Sequence, residues 1–291
     1  MGFNRYLSYL TRRLPPVWGV GRIVEALRTY YTKKYSNRND STVIINDYDG
    51  NLKMRLDRAA YMGGTIYWMG SHHRRELAYL SSICRPDMTF VDVGANMGEF
   101  TLFMAKRLSK GSVIAFEPTK RMFEILQQNV KLNEFNNVKL FNIALGDRES
   151  KMPIYTSSEN IEHEVWNEGL FRLFPNENVN VLLEEIMVVP FDKIAKENNI
   201  QNVNIIKIDV EGAELYVLKG LEQVLKLFKP KLLIEISREA FANAGYTVTD
   251  ISNYIKDYGY TTYGFNANNK LYQIDIEEES NKSTWFNVFC Q

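Results

Sequence analysis

Apolar and polar positions change their rhythm at about residue 89. Beyond that point short apolar runs alternate with stretches of helical period. Residues 89–93 read as a strand, and 97–108 as a helix with Phe100, Phe103, Met104 and Leu108 on one face. Residues 112–116 form the next strand, and Met122, Phe123, Leu126 and Val130 mark the buried side of the next helix. Strands follow at 138–143, 203–208 and 231–236. The 203–208 run is almost wholly apolar, as a strand covered on both faces should be. A helix over 213–228 presents Leu215, Leu218, Leu221 and Leu225, and Lys229-Pro230 stops it. A further helix over 251–258 ends at Gly259, and runs at 260–265, 271–274 and 285–289 complete a sheet. Repeated β-α units of this spacing predict an α/β fold, an open and mostly parallel sheet between helices.

Before residue 89 the pattern is looser. Residues 1–40 read as a helical arm, interrupted by Pro15-Pro16. Residues 41–70, rich in Val, Ile, Tyr and Gly around Asp49-Gly50-Asn51, read as a β-hairpin region, and 72–84 as a helix. The expected organisation is an N-terminal helical and β extension over 1–70 and a main domain over 71–291. One stretch of the main domain, 157–183, has no period but carries Trp166, Phe171 and Phe174. An aperiodic insertion between sheet elements suits a lid or acceptor-binding segment.

Composition narrows the partners. The 291 residues hold 35 basic and 35 acidic side chains, so no global field draws in nucleic acid. The first 40 residues are locally basic: Arg5, Arg12, Arg13, Arg22, Arg28, Lys33, Lys34 and Arg38 face Glu25 and Asp40, with Tyr6, Tyr9, Trp18, Tyr30 and Tyr31 interleaved. Such a mixture can rest on an anionic membrane, although the proline pair favours a solvated arm or an oligomer contact. Oligomeric state is left open by the sequence. No apolar run reaches a spanning length, the start lacks a signal-peptide core, and Tyr6 stands where a myristoylation signal wants Ser or Thr. Cys84 and Cys290 lack metal-ligand spacing and read as two buried free thiols. The expected location is cytoplasmic, with the inner face of a membrane as the alternative.

The sharpest local signal is Phe90-Val91-Asp92-Val93-Gly94-Ala95-Asn96-Met97-Gly98-Glu99-Phe100, a strand, a glycine turn and a helix. Glycine lets backbone approach a ligand, and a helix N-terminus suits an anionic group. Asn96 with Glu99 three residues on reads as a capping pair. The positions after Gly94 lack the second and third glycines of a dinucleotide fingerprint, and no Walker lysine follows. Glu117, at the end of the next strand in Ala115-Phe116-Glu117-Pro118, is placed to accept hydrogen bonds from a ribose diol.

Three segments in fixed order, VDVGANMGEFTLFMAKRL, AFEP and KIDVEGAELYVLKGLEQVL followed by LLIEIS, resemble the FkbM family of methyltransferases over about residues 72–265. The resemblance implies a class I methyltransferase fold, a Rossmann-like three-layer sandwich around a mostly parallel seven-stranded sheet. It also implies S-adenosyl-L-methionine as methyl donor and a hydroxyl acceptor, often on a sugar or glycan. By position, Asp92, Gly94, Ala95, Asn96 and Gly98 would surround the methionine end of the donor, and Glu117 would hold its ribose. Asn142, Ile143 and Ala144 would lie near adenine. Glu76 matches an acidic position of the family that touches the donor or closes the pocket.

On the acceptor side, Asp209 and Glu211 follow the fourth strand one residue apart, so in an extended segment they point the same way. Attack by a hydroxyl requires loss of its proton, and Asp209 or Glu211 is the expected base or, with Glu235, the oxygen set for a divalent cation such as Mg²⁺. Asp209 borders the donor as well. Glu214 reads equally as a helix-capping charge. Of the three histidines, His163 in the insertion could reach the acceptor, whereas His72 and His73 read as surface or packing residues. The leading expectation is an O-methyltransferase of a sugar or glycan hydroxyl. Lipid, polyketide or peptide acceptors remain alternatives. An NAD-dependent oxidoreductase is disfavoured by the missing glycines, and a non-catalytic binding module by the intact donor loop.

Overall fold

Thr89–Val93 (β3) and Ile205–Ile208 (β9) are buried on both faces, which places them at the centre of a sheet covered by helices on each side. The computed structural model describes residues 3–13, 20–35, 41–158, 171–266 and 270–291. Ahead of β3, Thr42–Tyr48 (β1) and Leu52–Asp57 (β2) pair antiparallel across the expected Asp49-Gly50 turn. The remaining strands are Ser112–Phe116 (β4), Val138–Phe141 (β5), Ala144–Leu145 (β6), Ser150–Thr156 (β7), Val181–Val189 (β8), Lys231–Ser237 (β10), Thr262–Phe265 (β11), Leu271–Gln273 (β12) and Trp285–Cys290 (β13).

The main sheet has eight strands in the order β12-β11-β13-β10-β9-β3-β4-β5. Neighbours from β10 to β5 run parallel, and β13 enters antiparallel to β10 and to β11. The α/β class I methyltransferase sandwich is therefore present, with one correction. A short strand, β12, hairpins onto β11 and makes the sheet eight-stranded rather than seven-stranded. β9 and β3 adjoin at the point where the strand order reverses direction, and their carboxyl ends open the crevice where such sheets take ligands.

Several elements differ from the sequence reading. The 213–228 segment is two helices, Glu214–Lys219 and Glu222–Phe228. The chain turns at Gly220, where a Cβ would lie 2.0 Å from the Gly146 carbonyl oxygen, and Asp192 accepts from the amides of Gln223 and Val224 at the start of the second helix. Residues after the hairpin form a helix, Tyr61–Met69, whose Gly63 packs against the Asp57 backbone with no room for a Cβ. A second sheet, β6-β8-β7, flanks the 157–183 insertion and shares only residues 181–183 with it. Within the insertion, Arg172 exchanges backbone hydrogen bonds with Tyr155 of β7 in an isolated bridge. His163 and Trp166 lie outside the described residues.

The N-terminal segments are stapled down. Arg12 makes a bidentate pair with Asp47 and donates to the Tyr67 carbonyl oxygen at 2.6 Å. Asn129 bonds the backbone of Arg55 on β2 and of Met97 in the glycine loop, so the hairpin shares a core with the loop. No helix among the described residues is long and apolar enough to cross a membrane. Cys290 is buried as expected, but Cys84 is only partly so.

Candidate active site

The glycine loop is shaped by close approaches. Gly94 has φ +77°, and a Cβ there would sit 1.9 Å from the Asp209 carbonyl oxygen. Only glycine fits between the ends of β3 and β9. Gly98, at φ +99°, is the N-cap of the helix Glu99–Arg107. The expected Asn96–Glu99 capping box is absent, because Asn96 Oδ1 accepts from the Met97 amide and Glu99 turns to the other side. The loop amides are also committed. Those of Gly94 and Ala95 donate to the Phe116 carbonyl oxygen, and that of Asn96 to Glu117 Oε2 at 2.9 Å.

Glu117 is thus a tie as well as a wall. Its other oxygen accepts from the amide and hydroxyl of Thr119 at 3.0 and 2.6 Å. Burial raises its pKa against these hydrogen bonds. It lines a cavity of about 430 Å³ above the carboxyl ends of β3, β4 and β9, a size suited to a small ligand. Ile143, Ala144, Leu145, Ile154 and Ile186 give that cavity an apolar wall next to Glu117.

Lys207, an unforeseen cation, organises the floor. It is 4% exposed on β9, with Nζ 3.6 Å from Asp92, 3.5 Å from Asp209 and 2.7 Å from the Gly94 carbonyl oxygen. Burial opposes its charge, but Asp209 and Asp92 outweigh that and hold its pKa above the ordinary lysine value. Asp92 is fully buried behind the loop, accepting from the Thr101 hydroxyl at 2.6 Å. Burial raises its pKa. Asp209 faces the cavity, and although burial pushes it up, Lys207 and His73 bring it below the usual carboxylate value.

Asp209, Glu211 and Glu235 bring carboxylate oxygens within 4.8 Å of one another, a donor set that suits a hard cation. Burial, then the charge of Asp209, lifts Glu211 to about 8 and drives Glu235 well upward. Glu211 has φ +53° and sits 3.5 Å from Arg172, which reaches in from the insertion and also meets Glu239. Glu214 faces away. It accepts from the amides of Val210 and Gly212 at 3.0 Å each and from the Tyr246 hydroxyl, so it pins the turn that presents its neighbours.

The histidine pair is not on the surface. His72 and His73 line the cavity beside Glu99, which accepts from the Ser71 hydroxyl and the His72 amide through one oxygen and meets His73 Nδ1 at 2.8 Å through the other. Burial disfavours charge on Glu99, but His73 outweighs it and the pKa falls to about 2.

Of the sequence candidates, Gly94, Ala95, Asn96, Glu117, Ile143, Ala144, Asp209, Glu211 and Glu235 line the cavity. Asp92 and Gly98 stand behind it, in its supports. Asn142 does not line it, because its amide is spent on the carbonyls of Glu117 and Pro118. Glu76 does not either; it accepts from Asn287 of β13 at 3.0 Å. Lys207, Arg172, Glu99 and the two histidines were missed as a group. The only signal for Lys207 was a lone charge inside an apolar strand.

A family model described as the methyltransferase FkbM domain matches residues 92–262. Methyltransferase 1 of Beauveria bassiana is 30% identical over 149 residues, 47% of this chain and 60% of that protein. The 2-O-methyltransferase NoeI of Sinorhizobium fredii is 24% identical, across 53% of this chain and 64% of its own. The hexuronic acid methyltransferase AglP of Haloferax volcanii is 26% identical, across 46% and 50%. The matches span no more than about two thirds of these relatives. The crystal structure of an FkbM methyltransferase from Methylobacillus flagellatus superposes with a TM-score of 0.47 at 19% identity, covering 74% of this chain and 47% of that one.

Proposed function

This chain belongs to the FkbM methyltransferase family, and we propose that it is an S-adenosyl-L-methionine-dependent O-methyltransferase acting on a sugar or glycan hydroxyl. One observation carries the reading. A single cavity joins a buried carboxylate at the end of β4, beside an apolar wall, to a converging set of carboxylates at the ends of β9 and β10. The first pair of features suits a ribose diol and a flat base, and the second suits a hydroxylated acceptor.

When bound, the donor would supply a methyl group already activated on a sulfonium. The chain's own work is to position and to dry the site. Glu117 would accept from the ribose hydroxyls, with Ile143 and Ala144 beside the base. Lys207 holds Asp209 ionised on the cavity floor, a negative charge that would favour a sulfonium. Glu211, which keeps its proton up to about pH 8, and Glu235 can donate to as well as accept from acceptor hydroxyls. Arg172, anchored on the β7 wall, closes the acceptor side against Glu211 and Glu239. NoeI and AglP bear names that specify a 2-O position and a hexuronic acid, and these support the sugar class.

Calorimetric titration with S-adenosyl-L-methionine and with NAD, followed by transfer of labelled methyl to a panel of methyl hexopyranosides and to lipid and peptide hydroxyls, tests the reading. Donor binding with label in the sugar fraction is expected. Binding of NAD alone, or label confined to lipid or peptide, sinks it.

A further inference from the structure

Two carboxylates at the acceptor side are already engaged by cations: Asp209 lies 3.5 Å from Lys207 Nζ and Glu211 3.5 Å from Arg172. The same cavity has another proton path. Glu99 is fixed by Ser71 and by the His72 backbone, its second oxygen meets His73 Nδ1 at 2.8 Å, and His73 Nε2 lies 3.3 Å from His72 Nδ1. Three groups from two segments thus stand in line. His72 Nε2 makes no hydrogen bond among the described residues, on a ring that lines the cavity. A carboxylate that orders a histidine which orders a second acceptor is the arrangement by which a weak base is directed at a substrate.

We propose that Glu99, His73 and His72 form a proton relay that opens into the cavity at His72 Nε2, and that His72 takes the proton of the acceptor hydroxyl. The inference rests on the methyl-transfer reading above. In the resting relay both rings are neutral. His73 Nδ1–H donates to Glu99, and His72 Nδ1–H donates to His73 Nε2, which leaves His72 Nε2 bare. As the acceptor oxygen bonds to the methyl carbon, the carbon–sulfur bond breaks with its electron pair left on sulfur. The hydroxyl proton passes to His72 Nε2, and the His72 Nδ1 proton passes to His73 Nε2. The positive charge comes to rest on His73, against Glu99.

The direction of travel follows from the surroundings. Burial and the neighbouring ring lower His72 to about 4. Burial also opposes charge on His73, but its bond to Glu99 and the nearby Asp209 and Glu76 raise it above the ordinary imidazole value. Arg28 adds to the disfavour at His72, whose ring also meets Tyr61 edge-on. The proton therefore runs from the ring that cannot keep it to the ring that can. His72 is the catalytic residue of the three; His73 and Glu99 are positioning residues. Transfer requires neutral His73, so the rate should climb with pH through a limb above that of a free imidazole.

The full chain, with its histidine ring nitrogens labelled, tests this by magnetic resonance at graded pH, without any acceptor. The expected result is a neutral His72 protonated on Nδ1 and bare on Nε2, and a His73 titration that moves down in Glu99→Gln. A His72 protonated on Nε2, or two rings that titrate independently, overturns the relay. With methyl hexopyranosides as the probe, His72→Gln should bind the donor within about twofold of the unaltered chain but transfer methyl roughly 100-fold more slowly. Unchanged transfer overturns the role of His72. Failure of the unaltered chain to bind the donor would instead remove the methyl-transfer reading and leave the ring tautomers as a separate result.

Discussion

Lys207 Nζ donates to the carbonyl oxygen of Gly94 at 2.7 Å, so a side chain of β9 fixes the turn that leaves β3. The same ammonium faces Asp92 and Asp209, and neither carboxylate has another cation within 4.0 Å among the described residues. Lys207→Met should cost about 3–5 kcal/mol at neutral pH, because it strands two charges in and beside the core. Urea unfolding at pH 7 and at pH 4 checks this. The loss should shrink at the lower pH as Asp92, whose pKa is already raised by burial, takes a proton. An equal loss at both values would show that packing, and not charge, is what Lys207 provides.

Glu117→Gln should weaken donor binding by roughly 10- to 100-fold, the worth of one or two hydrogen bonds to a charged acceptor. Calorimetry reads this directly. Glutamine is the more informative replacement because it keeps the shape of Glu117 and can still accept from one of the Asn96 and Thr119 amides, whereas alanine releases both. An alanine would loosen the glycine loop together with the ribose contact. Unchanged affinity in Glu117→Gln would take this carboxylate out of the donor site.

Burial lifts Glu214 to about 7. Below pH 4.5 both folded and unfolded chains carry its proton. Between 4.5 and 7 the folded chain alone retains it, so stability falls as pH rises through that window, by on the order of 3 kcal/mol in total. Melting temperatures between pH 5 and pH 8 should fall more steeply for the unaltered chain than for Glu214→Gln. Parallel curves would contradict the assignment.

Mg²⁺ entering between Asp209, Glu211 and Glu235 should expel protons, since Glu211 remains protonated up to about pH 8 and Glu235 is pushed upward too. Binding heats at pH 7 should then differ between buffers of different ionisation enthalpy, and Glu235→Gln should bind the ion more weakly. Heats that do not depend on buffer, or no heat at all, would leave these groups to bind hydroxyls alone.

What could be read in the chain depended on how local the cause was. The glycine turn and Glu117 were legible because a strand, a tight turn and a strand-end acid are written in consecutive residues. The helix Tyr61–Met69 was not, because Gly63 and Gly64 look like a turn. Gly63 is small to admit the Asp57 backbone, which the sequence around it does not reveal. β7 and β8 were hidden by the long insertion between them and by Pro153, which sits within β7. The Glu99 pairing defeated a sound rule: the spacing from Asn96 is that of a capping box, yet His73, 26 residues upstream, offered the better partner. Glu76 and Asn142 sit near the right places in sequence, but each spends its polar atoms on neighbouring protein groups. Lys207 and the histidines acquire their meaning from partners on other elements, and only the folded chain brings those together.

The contact between Gly94 and Asp209 makes the floor of the cavity a jig. Because no methyl group fits between these two turns, the distance from the glycine loop to the carboxylates that follow β9 is dictated by main chain and not by adjustable rotamers. The walls, the β7–β8 sheet and the segment bearing Arg172, are side chains set on that fixed base, and they are where a replacement can reshape the cavity without moving the seam.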